Sequence, residues 1–304
     1  MNRNDDAYEN LDQSLLLRWP LPMPPAEGDK EERGRALIVA GSAEMPGVAV
    51  LCASAALRAG AGKVTIATGA QCARAVALAM PECRVIGLQE NAEGGFASES
   101  VRSLEGLIEA QDALLIGPGM QHEASVLAFT SAAMKGLKRA KLVLDAYAMG
   151  VVCERSQRGA PQHDILLTPH AGEFAHLTGL AKEAIAQNRA SAALEAAEQW
   201  QALVALKGAV TLIATPRGRG WRHRGENVGL SASGTGDTLA GIIVGLAARG
   251  ACLEQAAAWA VVLHALAAKQ LESRFGPLGY LARELSAEIP PLMHALRARS
   301  EAEE

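Results

Sequence analysis

In the segment Ser233-Gly234-Thr235-Gly236-Asp237 two glycines flank a threonine and an acid follows at once, just before the helical run 238–248. Such a turn bends tightly and presents free backbone N–H groups at the positive end of a helix. Gly234, Thr235 and Gly236 form an anion hole, suited to the charge that develops on the oxygens of a transferring phosphoryl group. Asp237 stands where a general base would take a proton. The same residues would also serve a plain loop with Asp237 as a helix N-cap. Short glycine motifs recur by chance, so at this point both readings stand.

Three more segments hold reactive types in similar places. Lys207-Gly208-Ala209-Val210-Thr211 lies between two predicted strands, where Lys207 and Thr211 can reach nucleotide phosphate or ribose and Gly208 lets the backbone approach closely. Its plain alternative is a hairpin turn with a solvated lysine. Thr168-Pro169-His170-Ala171-Gly172-Glu173-Phe174 follows a strand and holds two titratable groups, although a loop histidine is often just a surface residue. Ile116-Gly117-Pro118-Gly119 ends another strand in a turn that either passes beneath a ligand or simply connects to a helix. Four such loops at one sheet edge point to a shared site.

The elements that carry them alternate. Aliphatic or β-branched runs at 36–40, 63–67, 84–87, 113–116 and 141–144 are each followed or separated by Ala-rich stretches at 48–58, 72–78, 99–109 and 123–137. That pattern predicts repeated βαβ units. Further strands are expected at 165–168, 203–206, 210–214 and 220–223, with a helix over 182–201 and three helices from 234 onward. The fold class is therefore α/β, a central mostly parallel sheet with helices on both faces and an antiparallel hairpin over 210–223 at one edge. Ligands of such sheets sit beyond the carboxyl ends of the strands. Residues 1–35, with Pro20, Pro22, Pro24 and Pro25 and the charged run 29–33, read as an extended arm, and 36–304 as one catalytic domain.

Composition narrows the function classes. A hydrophobic content of 49% with 20% charged residues suits a soluble globular domain, and the net charge of −4 with scattered Lys and Arg argues against nucleic-acid binding. No apolar run is long enough to span a bilayer and no leader is evident, so a cytoplasmic location is expected. Cys52, Cys72, Cys83, Cys153 and Cys252 have neither disulfide nor zinc spacing. No metal ligands are assigned. Asp145 could bind Mg²⁺ through water or cap the next segment. His122, His163, His176, His223, His264 and His294 have no ligand-like spacing, and Trp19, Trp200, Trp221 and Trp259 are too dispersed for a stacking platform.

In order along the chain, Leu37-Ile38-Val39-Ala40-Gly41-Ser42 with Met45-Pro46-Gly47, Ala56-Leu57-Arg58-Ala59-Gly60-Ala61-Gly62, Ile116-Gly117-Pro118-Gly119, Leu144-Asp145-Ala146 and the three loops at 168–173, 206–208 and 233–237 resemble the ADP-dependent NAD(P)H-hydrate dehydratase family. The resemblance implies a ribokinase-like fold and a repair reaction on NADHX and NADPHX, with ADP as co-substrate, Mg²⁺ as cofactor, and AMP and phosphate as products. It implies Asp237 as base, Lys207, Gly208, Ala209, Val210, Thr211 and Gly236 around the nucleotide, and Val48, Gly119, His170 and Asp237 around the hydrate. It also implies a homotetramer, and an epimerase as functional partner, expected as a separate protein because about 35 residues precede Ala36. A small-molecule kinase of the same fold, of the hydroxymethylpyrimidine or thiazole type, is the alternative. Ala171 stands where the family usually has Pro, Ser233 where it has Gly, Val48 where it has Ala, and Tyr147 replaces an Asp or Gly.

Overall fold

The computed structural model describes residues 7–24, 27, 32–155, 164–225 and 227–303. In chain order the strands are β1 (Tyr8–Asn10), β2 (Arg35–Val39), β3 (Lys63–Gly69), β4 (Arg84–Leu88), β5 (Ala113–Ile116), β6 (Lys141–Leu144), β7 (Ile165–Leu167), β8 (Leu203–Leu206), β9 (Val210–Ala214) and β10 (Gly220–Arg224). The helices are α1 (Gln13–Arg18), α2 (Gly47–Arg58), α3 (Ala73–Ala79), α4 (Glu105–Glu109), α5 (Glu123–Met134), α6 (Val151–Arg155), α7 (Ala171–Thr178), α8 (Lys182–Gln187), α9 (Arg189–Trp200), α10 (Thr235–Ala248), α11 (Leu253–Phe275) and α12 (Ala282–Glu303).

The strands form one ten-stranded sheet in the order β1-β10-β9-β8-β7-β6-β5-β2-β3-β4. Every neighbouring pair is parallel except the two that involve β9. Central strands such as β5 and β8 are buried along their whole length because helices cover both faces, which is why they read as unbroken apolar runs. One core lies beneath α1, α2, α10, α11 and α12, the other beneath α5, α7 and α9. The chain runs outward through β2, β3 and β4 and then returns to β5 on the other side of β2. That reversal opens a crevice between the ends of β2 and β5, where open α/β sheets take their ligands.

Helix α10, which carries the glycine turn, lies close against α2. A Cβ at Gly241 would stand 2.4 Å from the Cys52 carbonyl oxygen, and one at Gly245 would stand 2.5 Å from that of Ala56. Small residues on both helices thus set their separation, and Cys52 Sγ donates to the Asp237 carbonyl at 3.3 Å. The position of Asp237 is tied to this packing.

The expected arm differs from what is observed. Tyr8–Asn10 extends the sheet beside β10, Leu15 and Leu16 of α1 are buried, and Asp12 caps α1 by accepting from the Leu15 amide at 3.0 Å. The domain therefore includes residues from about Tyr8 onward, and the hairpin of β9 and β10 is covered by β1 instead of forming the edge. Leu11, Leu15 and Leu16 are buried and Leu17, Trp19 and Leu21 pack against the core, but the proline cluster and the charged run that follow make the segment read as extended. Of the four tryptophans that read as too dispersed to stack, Trp19 and Trp221 lie 5.5 Å apart between ring centroids, whereas Trp200 and Trp259 are core residues. The helix expected over 182–201 breaks at Asn188, and that over 99–109 is a 3-10 turn at 98–104 leading into α4. Pro25, His163 and residues 29–31 lie outside the described residues. Among those described, no helix is long and apolar enough to cross a membrane.

Candidate active site

Three of the four loops singled out in the sequence, at 168–174, 207–211 and 233–237, come together, while the 116–119 turn packs against Asp145 and Val48. After β7 the chain enters α7 through a reciprocal cap: His170 Nδ1 accepts from the amides of Gly172 and Glu173 at 2.9 and 3.2 Å, while Glu173 Oε2 accepts from the His170 amide at 2.8 Å. This capping box fixes the loop without the family's proline, because side chain and backbone satisfy one another's free donors. Since Nδ1 accepts, the exposed Nε2 carries the ring proton in the neutral imidazole. The Lys207 amide donates to the Pro169 carbonyl at 2.8 Å, so the loops after β7 and β8 are bound together.

At the start of α10, Gly234 adopts φ +86, which only glycine takes without strain. Ser233 is exposed and lies outside that left-handed region, so a side chain is accommodated where relatives usually carry glycine. Gly234 is itself the N-cap residue, and Asp237 lies at the third helical position. The N-cap reading of Asp237 is thereby replaced. Thr235 Oγ1 holds the turn by donating to the carbonyls of Leu230 and Ala232 at 2.7 and 2.9 Å. The Thr235 amide points to Ala232 O at 3.4 Å and the Thr238 amide closes on Gly234 O at 3.0 Å. Among the described residues the amides of Gly234, Gly236 and Asp237 make no hydrogen bond to a carbonyl, so of the three expected donors Gly234 and Gly236 are free and Thr235 is engaged.

Around Asp237 the charges are concentrated. Lys207 Nζ lies 3.3 Å from Asp145 Oδ1 and 3.9 Å from Glu173 Oε2, and a Cβ at Gly236 would come within 3.4 Å of it. Asp145 is buried, and Thr168 Oγ1 donates to the same Oδ1 at 2.6 Å. Its carboxylate makes no cap hydrogen bond, so the capping role weighed for Asp145 gives way to the pairing with Lys207. Burial, reinforced by the carboxylates of Asp145 and Glu173 and opposed by Lys207, pushes the Asp237 carboxyl up to about 6. Burial likewise raises Glu173 against the pull of Lys207. Burial works to lower Lys207, but Asp145 and Glu173 outweigh it and hold the ammonium on.

Beside this cluster opens a cavity of about 620 Å³, lined by His170, Lys207, Gly208, Ala209, Thr211, Thr235 and Gly236, with Leu239, Val261, His223 and His264. Val210 does not line it. Its carbonyl instead accepts from Arg189 Nη2, which also reaches the carbonyls of Leu206 and Lys207. Val48 and Gly119 meet elsewhere, at the β2 and β5 crevice, where a Cβ on Gly119 would be 2.9 Å from Val48 Cβ. The Gly41 amide donates to Pro118 O at 2.8 Å and ties those two loops. Sequence reasoning passed over Arg189, His223 and His264. His264 is buried with an unpartnered Nε2, and burial pushes its pKa down to about 4, so it is neutral. No spacing pattern marks these three, because each acts through a fold contact distant in sequence.

A doubly wound sheet with a free helix start, a general-base candidate of raised pKa and a cavity of nucleotide dimensions defines an enzyme that handles a phosphorylated ligand at its strand ends. The chain belongs to the NAD(P)H-hydrate dehydratase family, whose profile matches residues 36–291. It is 46% identical over 283 residues to the ADP-dependent (S)-NAD(P)H-hydrate dehydratase of Xanthomonas campestris pv. campestris, covering 93% of this chain and 95% of that protein. The crystal structure of the ADP/ATP-dependent NAD(P)H-hydrate dehydratase from Bacillus subtilis, co-crystallized with ATP/Mg²⁺, superposes with a TM-score of 0.78 at 30% identity, covering 95% of this chain and 99% of that one. A ribokinase-like superfamily protein from Enterococcus faecalis V583 has the same fold, with a TM-score of 0.81 at 24% identity over 97% and 98% of the two chains.

Proposed function

We propose that this chain is a carbon–oxygen lyase that converts (6S)-NADHX and (6S)-NADPHX to NADH and NADPH, consuming ADP and releasing AMP and phosphate. The observation that carries the mechanism is Asp237: a half-buried carboxylate of raised pKa at a helix start with free amides, beside a lysine held charged by two other acids. The hydrate must lose a hydroxyl from C6 of its nicotinamide ring, and hydroxide is a poor leaving group. Asp237 takes the proton of that hydroxyl while the oxygen attacks the β-phosphorus of ADP and the bond to AMP breaks. The amides of Gly236 and Asp237 and the Lys207 ammonium face the charge that spreads over the phosphoryl oxygens. The ring nitrogen lone pair then expels phosphate from C6. Loss of a proton from C5 restores the double bond.

In this reading Lys207, Gly208, Ala209, Val210, Thr211 and Gly236 form the nucleotide side, while Val48, Gly119, His170 and Asp237 face the hydrate. The Nε2–H of His170 offers one donor to it. The acids also fit a hard cation. Asp145 and Glu173, which both face Lys207, would supply two carboxylates to the cation. That suits Mg²⁺, which takes one or two carboxylates and fills its shell with water and phosphate. When bound it would neutralise phosphate charge.

The test is direct. Purified protein incubated with ADP, Mg²⁺ and NADH hydrate should regain the near-ultraviolet absorbance of NADH, with one AMP and one phosphate per NADH. A stable phosphorylated product from ATP with no return of NADH would instead identify a kinase.

A further inference from the structure

His223 sits on β10 directly opposite Thr211 of β9, so the two side chains share a face, and both line the 620 Å³ cavity. Its Nδ1 lies 2.8 Å from the Leu11 carbonyl oxygen. A carbonyl can only accept, so Nδ1 carries a proton and the neutral ring leaves Nε2 with a lone pair. Leu11 is held on its other side as well, since its amide donates to Arg222 O at 2.8 Å and its side chain is buried. The exit of β1 therefore fixes which nitrogen of His223 is an acceptor. This is a fixed acceptor placed beside backbone and ammonium groups that present only donors to a phosphate.

We infer that His223 Nε2 is a specificity-determining acceptor for the nucleoside half of the nucleotide, taking a hydrogen bond from a ribose hydroxyl or from the exocyclic amine of the base. The N-terminal segment thereby acquires a role in the site, because it sets the tautomer of a residue that reads the ligand. The inference rests on the nucleotide reading of this cavity. Its chemistry is distinct from that of Asp237, since a lost acceptor weakens binding and leaves the phosphoryl step intact.

Calorimetric titration with ADP, 2′-deoxy-ADP, 3′-deoxy-ADP and IDP separates the possibilities, using wild type, His223→Leu and His223→Gln. His223→Leu should bind ADP about three- to tenfold more weakly, the worth of one hydrogen bond, and His223→Gln should recover most of that loss. One analogue, the one lacking the donor, should bind wild type more weakly by the same factor and lose nothing further in His223→Leu. Unchanged ADP affinity in His223→Leu, or an equal loss for all four nucleotides, overturns the inference. If wild type binds no ADP, the cavity reading falls first and this inference with it. Should His223→Leu fail to fold, ¹⁵N NMR of the wild-type imidazole decides: an unprotonated Nε2 resonance that shifts upfield with ADP supports the role, and one that ADP leaves unmoved overturns it.

Discussion

The charged cluster of Asp145, Glu173, Lys207 and Asp237 and the cavity wall next to it rise from neighbouring strand ends but by opposite means. The cluster packs three acids around one half-buried ammonium, an arrangement that raises the carboxyl of Asp237 and costs stability when that group ionises. The wall shares Lys207 with the cluster and is otherwise built of backbone groups, hydroxyl and aliphatic side chains and imidazoles, with His264 kept neutral by burial. A site so divided separates its tasks. Changes in the cluster should act on the rate of the chemical step, and changes in the wall on affinity for the nucleotide.

Asp237→Asn should show the largest effect. Losing a general base lowers kcat by about 10²- to 10⁴-fold, while ADP affinity, measured by titration, stays close to wild type. Stability should move the other way. The folded-state pKa of about 6 lies above the ordinary aspartate value of 3.8, so the native protein holds this proton more tightly than the unfolded chain. That contribution is present at low pH and is lost as pH rises from about 4 to 6, reaching at most about 3 kcal/mol. The asparagine variant should therefore melt higher than wild type at pH 8, with the gain vanishing toward pH 4. A large loss of ADP affinity in Asp237→Asn would break the division between the two regions.

The same carboxyl predicts the acid limb of the rate. For wild type, kcat/KM should fall about tenfold per pH unit below roughly pH 6, because the base must be unprotonated to accept the hydroxyl proton. Lys207→Met removes the positive charge that opposes the neighbouring acids, and the limb should move to higher pH. An unmoved limb would mean that Lys207 does not share the electrostatics of Asp237 and would detach it from the cluster.

Much of this was legible in the sequence, and unevenly so. The alternation of apolar and Ala-rich runs located most of the parallel strands, because strands buried on both faces show as unbroken aliphatic segments. Asp237, Lys207 and His170 stood out because chemistry needs those types near glycine turns. Tyr8, Asp12 and Leu16 did not, since a three-residue strand and a six-residue helix offer too few apolar positions to show a period. The pairing of Asp145 with Lys207 joins residues 62 apart through the register of β6, β7 and β8, which no local pattern encodes. Of the three amides expected to be free, that of Thr235 is taken up by Ala232 O as the chain turns into the left-handed Gly234 cap, and a cap is fixed by φ as much as by residue type.

Arg189 offers the finest test of the comparison. One nitrogen, Nη2, lies 3.3, 3.2 and 3.2 Å from the carbonyls of Leu206, Lys207 and Val210, and a Cβ at Gly208 would come within 2.8 Å of it. No ion pair engages Arg189 among the described residues, and burial lowers its pKa. Its guanidinium thus braces the loop from behind without lining the cavity. A lysine at this position keeps the charge but loses the planar fork, so it can follow only part of the curved set of carbonyls. Arg189→Lys should raise KM for ADP about three- to tenfold with kcat within about twofold of wild type, the net worth of about one hydrogen bond lost from the brace, about 0.5–1.5 kcal/mol. A fall in kcat without change in KM would show that the loop serves the chemical step directly. The wall and the cluster would then be one unit.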